Sequence, residues 1–353
     1  MDSLRVMVVD DTSLYRMLVT NALRDVEGVE VVGSAPDGKA ALGKVEQLKP
    51  DMITLDVEMP VMDGLTTLKH LQQQYPKIGV VMISSLTQRG AETTLQALDL
   101  GAFDFVGKPD GKDVNANREA LTSNLKQVVQ AFITRRSLQF RTGAQLAASA
   151  RKPVKMRASA KIEAVAIGIS TGGPNALGEM LPMLPGDLGV PVLIVQHMPP
   201  RFTAALAATL NLKSSLKVVE GAEGQKVEAG TVYIAPGGLH MKVKKRGPHT
   251  VLETTQDPPE HHCRPAVDYL FRSIAEVYGK SALGVIMTGM GSDGTKGLAV
   301  MKQKGSHVLA QDEESCVVFG MPMEAVKAGV TDEQLPLGQI AARIVSMVKG
   351  AGG

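Results

Sequence analysis

The feature that most constrains the fold of this chain is an alternation between short apolar runs and longer segments with helical spacing. In the amino-terminal part the runs are rich in Val, Ile and Met, and they read LRVMVVD, VEVVGSA, DMITLD, GVVMISS and FDFVGK. Such runs are typical of strands that are buried on both faces of a parallel sheet. Repeated strand–helix units of this kind predict a parallel sheet covered by helices on both faces.

The alternation stops near Arg135 and resumes after Lys161 with a second set of runs, EAVAIGIS, PVLIVQH, TVYIAPGG, SALGVIMTG and HVLAQ. A hairpin-like segment, TVYIAPGGLHMKVKKRGPHTVLET, interrupts this set. A chain of 353 residues exceeds the size at which one hydrophobic core usually stops growing, so two domains are expected. We predict an α/β protein with two doubly wound parallel-sheet domains, the first flavodoxin-like and the second Rossmann-like with an antiparallel addition.

The stretch between the two alternating parts is basic. Residues 135–161 contain eight Arg or Lys residues and no acid. A run of this kind could bind nucleic acid, but only a single aromatic residue, Phe140, stands among the charges, which favours a solvated tether between domains. We therefore predict a first domain at 1–125, a basic linker at 126–161 and a second domain at 162–350.

Charge and cysteine content limit the function classes. The formal net charge of +2 gives no strong field for nucleic acid or a membrane surface. Cys263 and Cys316 are too few for a disulfide framework and fit a reducing compartment. The first residues, MDSLRVMVVDD, lack the pattern of a signal peptide, and no apolar run approaches the roughly 18–20 residues that span a bilayer. We expect a cytoplasmic protein that neither inserts into membranes nor binds nucleic acid.

Polar side chains follow the predicted strands of the first domain. Asp10, Asp11, Asp56, Ser84 and Lys108 fall at the carboxyl ends of these strands, where functional groups of parallel sheets collect. Three carboxylates brought together repel one another, and a hard divalent cation such as Mg²⁺ relieves that repulsion. A bound phosphoryl group would also need a cation and a hydroxyl donor, which Lys108 and Ser84 supply. These residues predict a Mg²⁺-dependent switch that is phosphorylated on aspartate.

This part of the chain resembles the receiver domain of two-component response regulators over about residues 3–125. The segments that carry the resemblance are VVDD at 8–11, LDVEMPVMDG at 55–64, ISS at 83–85 and GAFDFVGKP at 101–109. The resemblance implies that a histidine kinase donates the phosphoryl group and that Asp56 accepts it. It also implies that Asp10, Asp11 and Asp56 bind Mg²⁺. The switch residues that it implies are Ser84, Phe105 and Lys108.

In the second domain, Ser170 lies in the sequence GISTG at 168–172, directly after an apolar run. This order of strand, glycine, serine and glycine is typical of a hydrolase nucleophile, because the glycines allow a sharp turn. A helix predicted from about Asn175 would point its positive amino-terminal end at the turn. A glycine-rich phosphate loop is the main alternative, but GISTGGP lacks the lysine of a P-loop and the spacing of a dinucleotide fingerprint.

A serine nucleophile needs a base and an acid that orients the base. His197 ends the run PVLIVQH, and Asp293 follows the run LGVIMTG. Read alone, His197 fits a structural or solvated histidine, and Asp293 fits a helix cap or turn residue. The order Ser170, His197, Asp293 differs from that of α/β-hydrolases and predicts a separate, convergent hydrolase. The backbone N–H groups of 289–291 and Thr171 are candidates for an oxyanion hole.

From about residue 162 to 348 the chain resembles the catalytic domain of the CheB family of chemotaxis protein-glutamate methylesterases. The matching segments are AIGISTGGP at 166–174, VQHMPPRFT at 195–203, YIAPGGLHM at 233–241, CRPAVDYLF at 263–271 and MTGMGSDG at 287–294. The resemblance implies a triad of Ser170, His197 and Asp293. It implies hydrolysis of γ-glutamyl methyl esters on methyl-accepting chemoreceptors, with release of methanol, and deamidation of receptor glutamines. No cofactor is implied for the esterase reaction.

The fusion of a switch with a hydrolase predicts that the first domain controls the second. We expect the unphosphorylated receiver to block the cleft of Ser170 and His197, and phosphorylation at Asp56 to expose it. Two alternatives from other function classes are a response regulator whose second half binds DNA and a nucleotide-binding α/β module. The second half opposes DNA binding because it has no helix-turn-helix pattern and no basic recognition face.

Three consecutive residues, His261, His262 and Cys263, also raise the question of a zinc site. Adjacent side chains cannot readily converge on one tetrahedral ion, and no C-x-x-C spacing supports them. We expect these residues to form a turn before a helix over Ala266–Tyr278, next to the active-site cleft.

Overall fold

The computed structural model describes residues 3–109, 111, 113–139 and 161–350. The chain divides into two compact units, Met1–Leu138 and Gln139–Gly353, and each has its own parallel sheet. Residues 140–160 of the predicted linker lie outside the described residues. None of the helices in the described ranges is long and apolar enough to cross a bilayer.

The first unit alternates strands and helices along its length. In chain order its elements are β1 (Leu4–Val9), α1 (Ser13–Arg24), β2 (Val29–Ala35), α2 (Gly38–Leu48), β3 (Met52–Asp56), α3 (Gly64–Gln74), β4 (Gly79–Ser85), α4 (Gln88–Asp99), β5 (Asp104–Lys108) and α5 (Val114–Gln139). The strands are parallel and lie in the order β2-β1-β3-β4-β5. This is the flavodoxin-like order, so the predicted fold class of the first domain is confirmed.

Side-chain caps begin three helices of this unit. Asp37 and Asp63 accept hydrogen bonds from backbone N–H groups in the first turns of α2 and α3, at 2.8 and 2.7 Å. The Thr87 hydroxyl accepts one from the first turn of α4 at 2.9 Å. These caps satisfy donors that a helix otherwise leaves unpaired, so they fix where each helix starts after a strand ends.

The last helix of the first unit extends beyond the predicted domain boundary at residue 125. α5 continues to Gln139, and the ring of Phe132 on it packs edge-on against Phe103 with 5.1 Å between ring centroids. Buried residues of this extension include Val128, Val129 and Ala131. The apolar face of α5 therefore keeps residues 126–138 in the first compact unit rather than in a linker.

The second unit is longer and contains a hairpin in addition to its parallel sheet. In chain order its elements are β6 (Ala164–Ile169), α6 (Gly173–Met180), β7 (Val192–Gln196), α7 (Phe202–Lys213), β8 (Lys217–Glu220), β9 (Thr231–Ile234), β10 (His240–Arg246), β11 (His249–Thr255), α8 (Val267–Tyr278), β12 (Ala282–Ile286), α9 (Thr295–Gln303), β13 (His307–Gln311), α10 (Met321–Lys327), β14 (Glu333–Leu335) and α11 (Leu337–Lys349).

The main sheet of this unit is parallel, in the order β14-β13-β12-β6-β7-β9-β8, and β10 pairs with β11 as an antiparallel hairpin. The predicted doubly wound sheet with an antiparallel addition is confirmed. The hairpin is shorter than the sequence suggested, because the TVYI segment forms β9 of the main sheet.

The direction of winding changes between β6 and β12. From β6 the chain builds β7, β8 and β9 on one side, and it later returns to build β12, β13 and β14 on the other. A reversal of this kind opens a crevice outside the carboxyl ends of the two central strands. β6, β7 and β12 are buried at every residue, so the residues that follow them are anchored in a rigid core.

Candidate active site and phosphorylation site

Ser170 lies directly after β6, at the edge of this crevice. Its backbone N–H donates to the carbonyl of Thr288 at 2.9 Å. Its own carbonyl accepts from the N–H of Gly173 at 2.7 Å and from Nε2 of Gln196 at 3.0 Å. The residue before α6, Gly172, has a φ of +75°, a conformation that glycine adopts without strain. The turn that holds the Ser170 hydroxyl is thus fixed from several sides.

His197 and Asp293 meet beside this turn. His197 follows β7, and its backbone N–H donates to the carbonyl of Ile169 at 3.2 Å, so Ser170 and His197 leave neighbouring strands at the same level. Asp293 follows β12 and is only 2% exposed. Its Oδ2 atom lies 2.8 Å from Nε2 of His197. The structure therefore joins the predicted base and acid in one hydrogen bond, with the predicted nucleophile on the adjacent strand end.

The amino-terminal end of α8 holds the Asp293 carboxylate. Oδ2 accepts from the backbone N–H of Val267 at 2.7 Å, and Oδ1 accepts from that of Asp268 at 2.8 Å. Burial raises the pKa of Asp293, but the hydrogen bond with His197, its charge and these two N–H donors outweigh burial and lower that pKa. Asp293 is therefore ionised at neutral pH, as the acid of a catalytic triad has to be.

The same contacts determine the basicity of His197. Burial lowers the pKa of its imidazole, but the hydrogen bonds and charges of Asp293 and Cys263 act more strongly, and the net result is a raised pKa. A raised pKa means that the protonated imidazole is stabilised. That is the form which a general base reaches when it takes a proton from a serine hydroxyl.

In the first unit, Lys108 links two of the predicted carboxylates. Its Nζ atom lies 2.8 Å from Oδ2 of Asp10 and 2.9 Å from Oδ2 of Asp56. Asp10, Asp11 and Asp56 each offer an oxygen atom, and these atoms lie within 4.8 Å of one another. Carboxylate oxygens at this spacing are a donor set that suits Mg²⁺, so the residues present fit the predicted ion.

Asp56 differs from Asp293 in the direction of its pKa shift. Burial, together with the charge of Asp10, raises the pKa of Asp56 to about 6 against the opposing effect of Lys108. Ser84, on β4, is completely buried, and its hydroxyl donates to the carbonyl of Gly90 at 3.2 Å. Phe105 lies half-buried on β5, the strand that ends at Lys108. The predicted switch residues therefore lie on β4, which pairs with the strand that bears Asp56, and on β5, which pairs with β4.

Residues 165–344 match the family model described as CheB methylesterase, and residues 6–118 match that of the response regulator receiver domain. A protein-glutamate methylesterase/protein-glutamine glutaminase of Desulfotalea psychrophila is 51% identical over 99% of this chain and 100% of its own length. The chain belongs to the CheB methylesterase family. The predicted union of a receiver domain with an ester hydrolase, a protein-glutamate methylesterase, is therefore confirmed.

Two further members of the CheB family match this chain, one over nearly its whole length and one over its second unit. A relative from Bacillus subtilis, named protein-glutamate methylesterase/protein-glutamine glutaminase, is 44% identical over 98% of this chain and 99% of its own length. The crystal structure of the Thermotoga maritima CheB methylesterase catalytic domain is 41% identical, covers 54% of this chain and all of that domain, and superposes with a TM-score of 0.52. The family assignment replaces the alternatives of a DNA-binding or nucleotide-binding second half.

Two residues of this CheB-family site were not anticipated from the sequence. Gln196 donates to the carbonyls of Ser170 and His197 at 3.0 and 3.3 Å, and so ties the nucleophile turn to the base turn. The Thr288 hydroxyl donates to the carbonyl of Thr171 at 3.0 Å. Both are uncharged residues inside apolar runs, where the sequence gives no sign of a polar contact. Their position at a strand end, with Gln196 the last residue of β7 and Thr288 two residues after β12, was the available signal.

One part of the oxyanion-hole prediction is wrong. The backbone N–H of Gly289 donates to the carbonyl of Val318 at 3.0 Å, in a short parallel bridge between Gly289 and Phe319. That N–H group is already used inside the protein and cannot also bind an oxyanion.

The segment His261–Cys263 forms a turn, as predicted. The N–H of Cys263 donates to the carbonyl of Glu260 at 2.8 Å, and His261 and His262 both have positive φ angles, +51° and +62°. The turn places His261 next to two buried carboxylates, those of Asp268 and Asp293.

Proposed function

We propose that Ser170, His197 and Asp293 form the catalytic triad with which this chain hydrolyses glutamate γ-methyl esters on chemoreceptors. The observation that supports the triad most directly is the 2.8 Å hydrogen bond between the buried Asp293 carboxylate and His197, beside the turn of Ser170. The substrate class follows from the names of relatives that match this chain over nearly its whole length.

The reaction proceeds in two steps. His197 takes the hydroxyl proton of Ser170, and the serine oxygen attacks the ester carbonyl to form a tetrahedral intermediate. Asp293 holds Nε2 of His197, so Nδ1 is the nitrogen that accepts this proton. The intermediate collapses, the proton passes to the departing methoxide, and methanol leaves. Water, activated by the same imidazole, then hydrolyses the acyl-serine and regenerates the free hydroxyl. Attack on a glutamine γ-amide by the same route releases ammonia.

Methanol release from methylated receptor tests this reaction. Ser170→Ala and His197→Gln should each remove the activity, and a fluorophosphonate probe should label wild type on Ser170 alone. Labelling should be lost in both variants, because the hydroxyl is unreactive without its base. Full methanol release by Ser170→Ala would overturn the triad.

We also propose that a histidine kinase phosphorylates Asp56 and that this modification activates the esterase. Asp10, Asp11 and Asp56 would hold Mg²⁺, which neutralises charge on the incoming phosphoryl group. Lys108 is in place to bind a phosphoryl oxygen, since its Nζ atom already pairs with Asp56 at 2.9 Å. Ser84 and Phe105 then respond to the new charge.

In this proposal the unphosphorylated receiver blocks access to Ser170. A fragment of residues 155–353 should therefore release methanol at the rate of the phosphorylated full-length chain without any phosphodonor. The solved catalytic domain of the Thermotoga maritima relative supports the use of such a fragment. A fragment no faster than the unphosphorylated full-length chain would contradict blocking, while leaving the triad itself untouched.

A further inference from the structure

A second carboxylate is buried behind the proposed triad. Asp268, the second residue of α8, has 0% exposure and accepts a hydrogen bond from the backbone N–H of Gly297 at 2.6 Å through Oδ1. Its Oδ2 atom lies 2.9 Å from Nε2 of His261. The proposed reaction uses neither Asp268 nor His261. A fully buried acid with defined partners therefore calls for a structural or functional explanation.

Asp268 and Asp293 cap each other's helices. α8 begins after Ala266 and α9 begins after Gly294, and neither cap residue offers a side-chain acceptor. Instead, Asp293, just before α9, accepts from the first two N–H groups of α8, and Asp268 on α8 accepts from Gly297 in the first turn of α9. Each helix terminus thus receives the carboxylate of the other segment, and the two carboxylates can hold their positions only together.

Close packing keeps this arrangement rigid. A Cβ atom at Gly297 would lie 2.6 Å from Cβ of Phe271, a distance that real Cβ atoms essentially never show, and 3.1 Å from the Cα of Asp268, which is also unusually close. The absence of a side chain at Gly297 is therefore what allows α9 to approach α8 closely enough for Asp268 to reach its N–H group.

The imidazole of His261 lies beside both acids. Its Nε2 atom is 2.9 Å from Oδ2 of Asp268 and 4.0 Å from Oδ1 of Asp293. Burial and the charge of Asp293 raise the pKa of Asp268, while the Gly297 N–H and His261 act in the opposite direction. The oxygens of both acids already accept from backbone N–H groups or from an imidazole, which favours a structural hydrogen-bond network here over a metal site.

We propose that Asp268 is a positioning residue for ester hydrolysis: together with His261 it holds the Asp293 carboxylate at the angle and distance that orient His197. This inference rests on the triad proposed above. Asp268 touches no reacting atom, so it acts through Asp293 and the amino-terminal ends of α8 and α9.

Two variants of Asp268 test the role in the full-length phosphorylated chain. Asp268→Asn keeps an acceptor for Gly297 but removes the charge, and we expect kcat to fall about tenfold. Asp268→Ala removes the acceptor as well, and kcat should fall about 100-fold, the size of effect that a misplacement of about 1 Å produces. KM should change less than about twofold in both, because the substrate contacts are unaltered.

A third variant keeps the proposal testable if Asp268→Ala does not fold. His261→Gln changes a partly exposed residue and keeps a donor near Asp268, so we expect a folded protein with kcat lowered about threefold to tenfold. The matched control is Glu276→Gln, which removes the same kind of charge from an exposed position on the same helix and should leave kcat as in wild type.

A double variant separates positioning from general stability. Because Asp268 acts through Asp293, adding Asp268→Asn to Asp293→Asn should lower kcat by less than about twofold beyond the single Asp293→Asn variant. A full tenfold further loss, or wild-type kcat in Asp268→Asn and Asp268→Ala, would overturn the positioning role. If Ser170→Ala retained activity, the triad itself would fail, and this outcome is distinct because it needs no Asp268 variant.

Discussion

Both units of this chain have a buried carboxylate at the carboxyl end of a central parallel strand, but the two carboxylates have different hydrogen-bond donors. Asp56 ends β3 and Asp293 follows β12, and both lie beyond the carboxyl ends of central parallel strands. Asp56 accepts one backbone N–H, from Val57 at 2.8 Å, and depends on Lys108 for charge compensation. Asp293 accepts two backbone N–H groups of a helix and an imidazole.

The two carboxylates are both buried, and the difference in their donors accounts for the opposite directions of their pKa shifts. The pKa of Asp56 is raised to about 6, whereas that of Asp293 is lowered. A carboxylate with few fixed donors remains open to an external cation or an electrophile. A carboxylate surrounded by fixed donors is ionised and stationary, which suits an acid that must only orient its neighbour. Strand-end position alone therefore does not define the role of an aspartate.

The largest expected effect lies on the catalytic side. Asp293→Asn should lower kcat about 10⁴-fold, because the amide no longer stabilises the protonated imidazole or selects its tautomer. Phosphorylation of Asp56 in this variant should proceed as in wild type. Methanol release and phosphoryl transfer are measured in parallel, with the exposed Asp187→Asn as control. A variant with more than about a tenth of wild-type kcat would show that the fixed donors around Asp293 have no catalytic purpose.

On the receiver side, Asp56→Asn should remove the stimulation of methanol release by a small-molecule phosphodonor and Mg²⁺. The amide cannot accept the phosphoryl group, so the effect is the loss of the whole response. Methanol release with and without phosphodonor is the measurement, and the exposed Glu119→Gln serves as control. A response that persisted in Asp56→Asn would move the phosphorylation site elsewhere.

The two substitutions should have opposite effects on stability. The folded pKa of Asp56, about 6, lies above its ordinary 3.8, so its favourable contribution is complete below pH 3.8 and is lost as pH rises through 6. At pH 7 the carboxylate is therefore unfavourable, and Asp56→Asn should stabilise a fragment of residues 1–139 by about 1–2 kcal/mol.

For Asp293 the sign is reversed. Its lowered pKa contributes stability above the ordinary value of 3.8, and this is lost as pH falls. Asp293→Asn should destabilise a fragment of residues 155–353 by about 1–2 kcal/mol at pH 7. Urea unfolding of each fragment at pH 7 measures both changes. Shifts of the same sign in the two fragments would remove the contrast between the sites.

The smallest expected effect is on the pH profile. Because the pKa of His197 is raised, the acidic limb of kcat/KM should lie above pH 6.5, and activity should fall as pH drops through it. Cys263→Ala removes one of the contacts that raise this pKa, so the limb should move down by less than about one pH unit. A limb at or below pH 6.5 in wild type would contradict the arrangement around His197.

The strand ends were predictable from the sequence because a buried parallel strand produces an apolar run that stops abruptly. Asp10, Asp56, Ser170 and His197 could be placed in this way. The fold class of both domains followed from the same alternation. The short edge strands β8 and β14 give no such run, since they have only four and three residues and are partly exposed.

Other features depend on contacts between distant parts of the chain. The boundary at residue 125 fell too early because the packing of Phe132 on Phe103 is not visible in a local pattern. Asp268 looks like an ordinary acid in the first turn of a helix. Its hydrogen bonds with His261 and Gly297 depend on the packing of the His261 turn and of α9 against α8. No spacing in the sequence predicts these contacts.

The exchange of caps between α8 and α9 also links the candidate active site to the docking of these two helices. Before these helices dock, Asp293 lacks the two backbone N–H donors of α8 that hold its carboxylate beside His197. In the proposed triad, ester hydrolysis therefore depends on the docking of two helices that contribute none of its three side chains.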